Sequence, residues 1–191
     1  MRCPFSFSRY EGFSIVRNGF QRRIYSGIQP LLGDLAHIAR RWRIAIALAR
    51  SREISAAFRE RLMMVVTAVN RCRHCAHGHA YLASLAGIPK AEIEALLALD
   101  LGHAPAEEIP ALLHAIRWAE NDGAPLQEPE TALHANYGAA AAGQIEMAIH
   151  LIHVGNRLGN SFDYLLGRVS GGRLGWLESE RRATRAGEIK T

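Results

Sequence analysis

The distribution of alanine constrains the fold of this chain more than any other sequence feature. Thirty alanines are present, yet none lies within residues 1–35 or 149–182. Alanine has the highest intrinsic helix propensity, and few segments alternate with the period of two that a half-buried strand requires. The sequence therefore predicts an all-α chain. With 191 residues, it has room for one domain, a helical bundle with a sizeable core.

Apolar spacing and helix-terminating residues predict where the individual helices lie. Ser51 or Ser55 is suited to cap the second helix, because a serine hydroxyl accepts hydrogen bonds from free N–H groups of the first turn. Gly87 and the proline two residues later are expected to end the third. The predicted helices cover residues 30–50, 51–69, 71–86, 90–100, 106–121, a short segment ending at Tyr137, and 141–166.

Charge divides the chain into three parts. The net charge of +5 is the sum of +4 in residues 1–30, −2 in residues 31–167 and +3 in residues 168–191. We interpret these parts as an N-terminal arm, a helical domain and a C-terminal tail, with both ends ordered only where a neighbouring subunit holds them. Because the basic residues lie outside a slightly acidic domain, we expect no binding to nucleic acid.

Hydropathy and cysteine content indicate the compartment. No segment has the roughly 18 to 20 uninterrupted apolar residues of a membrane span, and charges scattered through the first residues argue against a secretory signal. Three cysteines are too few for a disulfide scaffold. We therefore expect a cytoplasmic protein that has no membrane partner.

Residues 67–79 contain the side chains best suited to chemistry. Asn70 is expected to cap a helix, which would place Cys72 in the first turn, where the positive helix end favours a thiolate. A spacing of three sets Cys72 and Cys75 on one helical face, close enough for a disulfide. His79 lies one turn beyond Cys75, where its imidazole can take or return the thiol proton. This layout is typical of a redox-active dithiol.

Two other interpretations of this segment stay open. Cys72 and Cys75 could bind a structural zinc ion with two histidines, although no second ligand pair follows at the usual distance of roughly 12 to 20 residues. Alternatively, the thiols are small buried hydrophobic groups and the histidines are surface groups. Two cysteines, three histidines and two arginines within nine residues favour the dithiol site over both. We expect neither a metal nor a cofactor.

A glutamate completes a pattern that resembles a known family. Glu60 is followed by eleven residues and then by Cys72-x-His74-Cys75-x-x-x-His79. This arrangement is similar to the active-site signature of the alkylhydroperoxidase D-like branch of the carboxymuconolactone decarboxylase superfamily. Decarboxylase members generally lack the cysteine pair, so its presence favours the peroxidase branch.

The resemblance extends over about residues 31–167, and residues 154–163 are similar to the family's final core helix. It implies an all-α fold and self-association through helix pairs into trimers or hexamers. The implied activity is the thiol-dependent reduction of hydroperoxides, with an external dithiol as the reductant. One alternative is a decarboxylase-like lyase acting on a cyclic lactone acid on the same scaffold. The other is a non-enzymatic zinc or redox-sensing module whose dithiol signals through conformation.

The resemblance also implies roles for individual residues. Cys75 would be the peroxidatic thiol that attacks the peroxide, and Cys72 the resolving thiol that forms the disulfide. Glu60 and His79 would form a proton relay. His74 would be a supporting polar group.

Overall fold

A computed structural model of the protein describes residues 20, 22–50, 53–124, 129–177 and 180–181. Seven helices and no β-strand are found in this part of the chain, so the predicted all-α class is confirmed. None of the described helices combines the length and apolarity needed to cross a bilayer. In chain order the helices are α1 (Ile28–Arg40), α2 (Trp42–Ala49), α3 (Ala56–Asn70), α4 (Arg73–Leu85), α5 (Lys90–Leu97), α6 (Ile109–Glu120) and α7 (Pro129–Val169).

Helix α3 lies at the centre of the fold and packs against α4, α5, α6 and α7. Leu62, Val65 and Val66 are fully buried on it, as its apolar residues on more than one side require. Burying one such side chain stabilises the fold by roughly 1.5 to 3 kcal/mol. This central position also carries the polar residues of α3, among them Glu60, into the interior.

Two predicted helix boundaries are confirmed. The hydroxyl of Ser55 accepts a hydrogen bond of 3.0 Å from the N–H of Phe58 and caps α3. Gly87, with φ of 86°, reverses the chain after α4, and the N–H of the buried Ile88 donates to the carbonyl of Ala83. A left-handed residue at this point favours glycine, which has no Cβ to clash. The other candidate cap of α3, Ser51, lies outside the described residues.

The prediction of one helix over residues 30–50 is wrong. The chain breaks at Arg41, whose φ of −108° and ψ of 23° separate α1 from α2. No proline or glycine marks this position, so the sequence holds no local signal for the break. Helix α2 packs against α7 and buries Leu48, whereas α1 has no fully buried residue.

The predicted division of the last helical region is confirmed. Gly138, with φ of 75° and ψ of 161°, interrupts α7 directly after Tyr137. This backbone conformation is open to glycine and strained for other residues. Beyond the kink, Ala142, Ile145 and Ile149 line the core, and the helix continues to Val169.

The described parts of the two chain ends pack on α7 of their own chain. The ring of the buried Phe20 lies 5.4 Å from that of Tyr164 on α7 and 6.4 Å from that of Trp176 in the tail. A buried aromatic cluster therefore packs these residues against α7. That a neighbouring subunit orders the chain ends stays a prediction. Residues 1–19 and 182–191 lie outside the described residues.

Candidate active site

The turn between α3 and α4 places the cysteine pair. Arg71 has a left-handed conformation (φ of 55°) that ends α3 after Asn70, and the extended Cys72 becomes the N-cap of α4. The Cys72 sulfur accepts a hydrogen bond of 3.3 Å from the N–H of Cys75. The prediction that Asn70 caps this helix is therefore wrong, since Asn70 is the last residue of α3. The capping group is the thiol itself.

The two sulfurs form one electrostatic unit. Both cysteines are free thiols. A hydrogen bond from the Cys75 thiol lowers the pKa of Cys72 to about 7, against the opposing effect of burial, and the backbone N–H of Cys75 and the nearby His74 lower it further. The same hydrogen bond and burial raise the pKa of Cys75. The first proton of the pair therefore leaves near neutral pH, and the resulting negative charge is held mainly on the Cys72 sulfur.

Glycine on α7 makes room for this pair. A Cβ atom at Gly159 would lie 2.8 Å from Sγ of Cys72 and 3.8 Å from Sγ of Cys75. The missing side chain thus allows the α7 backbone to pack directly beneath both sulfurs. The similarity of residues 154–163 to a family helix had drawn attention to this segment, but not to Gly159 itself.

The structure brings Glu60 and His79 together. Oε2 of Glu60 lies 2.7 Å from Nδ1 of His79, and Oε1 accepts a hydrogen bond from Nε of Arg59. Glu60 is buried between α3 and α4. A carboxylate beside Nδ1 holds the proton of the neutral imidazole on that atom and leaves Nε2 as the basic nitrogen. The relay role of this pair stays a prediction.

His74 faces a carboxylate that sequence analysis missed. Its Nε2 lies 2.9 Å from Oδ1 of Asp163, which also accepts from Arg73 at 2.8 Å, while Oδ2 accepts from Arg22 at 2.6 Å. Burial would raise the pKa of Asp163, but the hydrogen bonds from Arg22, His74 and Arg73 outweigh this effect and keep the pKa below its ordinary value. Asp163 is therefore an ionised carboxylate in the protein interior.

Two asparagines on the same face of α7 fix the end of α3. Oδ1 of Asn156 accepts a hydrogen bond of 3.1 Å from the hydroxyl of Thr67, and Nδ2 of Asn160 donates one of 2.8 Å to the carbonyl of Asn70. The last carbonyls of a helix lack partners within it, so Asn160 satisfies one of them. Both asparagines are fully buried, so these hydrogen bonds lie in the core.

The side chain of Asn70 links α3 to α7 and to the N-terminal segment. Its Nδ2 lies 3.1 Å from Nδ1 of His153, and its Oδ1 accepts a hydrogen bond of 3.0 Å from Arg23. His153 is 2% exposed, and burial, reinforced by the positive charges of Arg157 and Arg23, lowers its pKa to about 3. His153 is thus a neutral core histidine, as expected for its position on a buried helix.

Within the ranges that the structure describes, no three His, Cys, Asp or Glu side chains are grouped as metal ligands. His74 and His79 each face a carboxylate, Asp163 and Glu60 respectively.

Comparison with known families locates the same segment. Residues 37–121 match the family model described as "Carboxymuconolactone decarboxylase family". This match includes Glu60 and all of the Cys72–His79 motif, and it confirms the predicted resemblance at the level of the superfamily. The all-helical architecture agrees with it. No curated protein and no solved structure matches the chain significantly.

Proposed function

We propose that the protein is a thiol-dependent peroxidase that reduces hydroperoxides through a dithiol–disulfide cycle of Cys72 and Cys75. The observation that carries this proposal is the pair of free thiols at the start of α4, where Sγ of Cys72 accepts a hydrogen bond of 3.3 Å from the N–H of Cys75. A thiolate is the nucleophile in peroxide reduction, and an adjacent thiol is what turns the product into a disulfide. The superfamily match supports the same conclusion.

The ionisation and the solvent exposure of the two cysteines favour different sulfurs as the nucleophile that attacks the peroxide. Charge favours Cys72, whereas access favours Cys75, because Cys72 is 1% exposed and Cys75 is partly exposed. The Cys75 proton already lies in a hydrogen bond to Cys72 and can pass to it. The buried Cys72 sulfur, however, is not accessible to a peroxide from solvent. We therefore assign the attack to Cys75, in agreement with the role that the family resemblance implies.

The reaction then follows in two steps. The Cys75 thiolate attacks the terminal peroxide oxygen, the O–O bond breaks, and the leaving alkoxide takes up a proton, which gives an alcohol and a Cys75 sulfenic acid. Cys72 loses its proton and attacks the Cys75 sulfur, which releases water and forms the disulfide. In total, one dithiol and one hydroperoxide give a disulfide, an alcohol and water. An external dithiol restores the two thiols.

Glu60 and His79 are placed to move these protons. His79 follows Cys75 by one helical turn, so both side chains lie on the same face of α4. Its Nε2 is the basic nitrogen, because Nδ1 is held by Glu60 at 2.7 Å. In this proposal, Nε2 of His79 first accepts the proton that the thiol pair releases as it ionises and gives it to the alkoxide. It then accepts the proton of Cys72 and gives that proton to the departing hydroxide, which leaves as water. Glu60 keeps the imidazole oriented and compensates its charge during the transfer.

The experiment that tests the proposal counts free thiols. A stoichiometric dose of an organic hydroperoxide should remove two thiols and link Cys72 to Cys75, as seen by mass spectrometry, while Cys3 stays reduced. The Cys3→Ser variant is the matched control and should respond as the wild type does. If Cys72 and Cys75 both remain free after peroxide treatment, the peroxidase proposal fails.

A trapping experiment tests the assignment of the two thiols. In Cys72→Ser, the sulfenic acid on Cys75 has no partner and should react with dimedone. The Cys75→Ser variant should give little adduct. An adduct on Cys72 in Cys75→Ser, together with none in Cys72→Ser, would reverse the roles.

A lyase activity is the second candidate, because the matching family model is described by a decarboxylase activity. It predicts turnover of a cyclic lactone acid that survives the replacement of both cysteines by serine. Turnover that requires the two thiols would exclude this candidate.

A further inference from the structure

Asp163 on α7 bonds to the residues that lie between the two cysteines of the motif. Its Oδ1 is shared by His74 and Arg73, the two residues that separate Cys72 from Cys75. The carboxylate is fully buried, although the side chains of Arg73 and His74 are 37% and 47% exposed. The buried Asp163 carboxylate thus contacts the two residues of α4 that lie between the two cysteines.

The two chain ends hold this carboxylate in place. The other oxygen of Asp163 accepts a hydrogen bond of 2.6 Å from the buried Arg22. Arg22 in turn donates to both carboxylate oxygens of Glu180, at 3.1 and 3.2 Å, and to the carbonyl of Gly175 at 2.5 Å. Because Arg22 and Glu180 are buried and Arg22 is itself fixed by several hydrogen bonds, the Asp163 carboxylate has little freedom to rotate.

The position of His74 matters for the charge on the thiol pair. A Cβ atom at Gly159 would lie 2.8 Å from Sγ of Cys72 and 4.0 Å from Cδ2 of His74, so the imidazole lies beside the thiol pair. From this position it lowers the pKa of Cys72, and its orientation therefore affects the state of the dithiol. Asp163 fixes that orientation, because its Oδ1 lies 2.9 Å from Nε2 of His74. The charged and titratable groups around the pair and its partners are Arg73, His74 and His79 on α4, Glu60 on α3, Asp163 on α7, and Arg22 and Glu180 at the chain ends.

We propose that Asp163 is a positioning residue of the dithiol site, which holds His74 beside Cys72 and thereby sets the pH at which the thiol pair becomes reactive. This inference deepens the proposed peroxidase function and rests on it for its biological meaning. Asp163 does not touch the reacting sulfurs in this scheme. It acts through His74.

The test is the pH profile of alkylation by iodoacetamide, measured on the reduced full-length protein. In Asp163→Asn, the midpoint should move upward by about one pH unit, because a neighbouring charge typically shifts a pKa by roughly one unit or more. His74→Gln should give a similar shift. The double variant should shift no further than His74→Gln alone, because two residues that act through one contact are not additive.

Asp34→Asn is the matched control. This carboxylate accepts a hydrogen bond of 2.7 Å from the hydroxyl of Tyr25 and lies 3.8 Å from Arg157. The substitution therefore also removes the charge of a hydrogen-bonded aspartate, but elsewhere in the fold. Its alkylation profile should equal that of the wild type. Circular dichroism and thermal melting establish that each variant is folded.

Three results would overturn the inference: an unmoved midpoint in folded Asp163→Asn, an unmoved midpoint in His74→Gln, or additive shifts in the double variant. Since His74 is about half exposed, its variant remains informative even if Asp163→Asn does not fold. Alkylation needs no peroxide. A protein without peroxidase turnover but with these shifts would refute the proposed function and leave the role of Asp163 standing.

Discussion

A Cβ atom added to Gly159 would lie 2.8 Å from Sγ of Cys72, closer than a carbon and a sulfur can approach without displacement. The α7 backbone is therefore the surface against which the Cys72 sulfur packs. Because Sγ of Cys75 lies 3.8 Å from the same point, Gly159 sets the space available to both thiols.

Gly159→Ala should slow disulfide formation by displacing the Cys72 sulfur. Gly155→Ala is the matched control, because it lies one turn earlier on α7 and its added Cβ would meet nothing within 4 Å. A helical Gly→Ala change without a clash stabilises by roughly 0.4 to 1 kcal/mol, so the control should be slightly more stable and react normally. The measurement is the rate of thiol loss after peroxide, quenched with N-ethylmaleimide. Equal rates in the two variants would show that Gly159 is not tied to the dithiol.

Glu60→Gln should lower the rate of peroxide reduction by at least about ten-fold, since general acid–base groups typically contribute roughly 10²- to 10⁴-fold. An amide cannot stabilise the protonated His79 as the carboxylate does, so His79→Asn should give a comparable loss. The pH at which Cys75 reacts with iodoacetamide should also rise in both. Glu94→Gln, which changes an exposed glutamate on α5, serves as the control and should leave both readouts unchanged. A Glu60→Gln enzyme with wild-type rate and profile would remove Glu60 from the site.

The parts of the site that follow from spacing along one helix could be predicted from sequence. Cys75 and His79 lie one turn apart on α4, so helical periodicity sets them on one face, and Cys72 directly precedes this helix as its N-cap. Glu60 required the family resemblance, because its distance from the cysteines has meaning only once α3 and α4 are known to pack. The cap at Asn70 was wrong, since nothing in the sequence indicates that an arginine would adopt a left-handed conformation.

Asp163 and Gly159 were missed because they lie far along the chain, and the face that α7 turns toward α4 depends on tertiary packing. A usable signal does exist. Asn156, Asn160 and Asp163 follow each other at spacings of four and three, which places three polar residues on one face of a helix that otherwise reads as core. Polar groups that are buried together need partners, and here the partners are the α3–α4 turn and the arginine of the N-terminal segment.

We propose that the chain forms a homo-oligomer, for which the family resemblance implies a trimer or hexamer. Leu158, Leu165 and Val169 on α7 are exposed at 44 to 74% at helical spacing, which leaves an apolar stripe on one monomer. Light scattering at micromolar concentration should give a mass well above the 21.1 kDa of one chain. Leu165→Asp should lower that mass, and Asp100→Asn, on an exposed loop, should not. A wild-type mass of one chain would contradict the proposal.

The buried His153 should make the protein lose stability in mild acid. Its pKa is about 3 in the folded chain, whereas an unfolded chain has a histidine pKa of about 6.5. Between these two values the unfolded chain binds a proton that the folded chain does not, so the free energy of unfolding falls as the pH decreases through this window. The loss attributable to His153 between about pH 7 and about pH 5 is roughly 2 kcal/mol.

The variant His153→Gln tests this prediction, because glutamine keeps an acceptor for Asn70 but does not titrate. Between the two pH values, its free energy of unfolding should fall by roughly 2 kcal/mol less than that of the wild type. The measurement is urea denaturation at both pH values. The exposed His103→Gln is the control and should follow the wild type. If His153→Gln loses as much stability as the wild type, the acid sensitivity arises elsewhere in the protein.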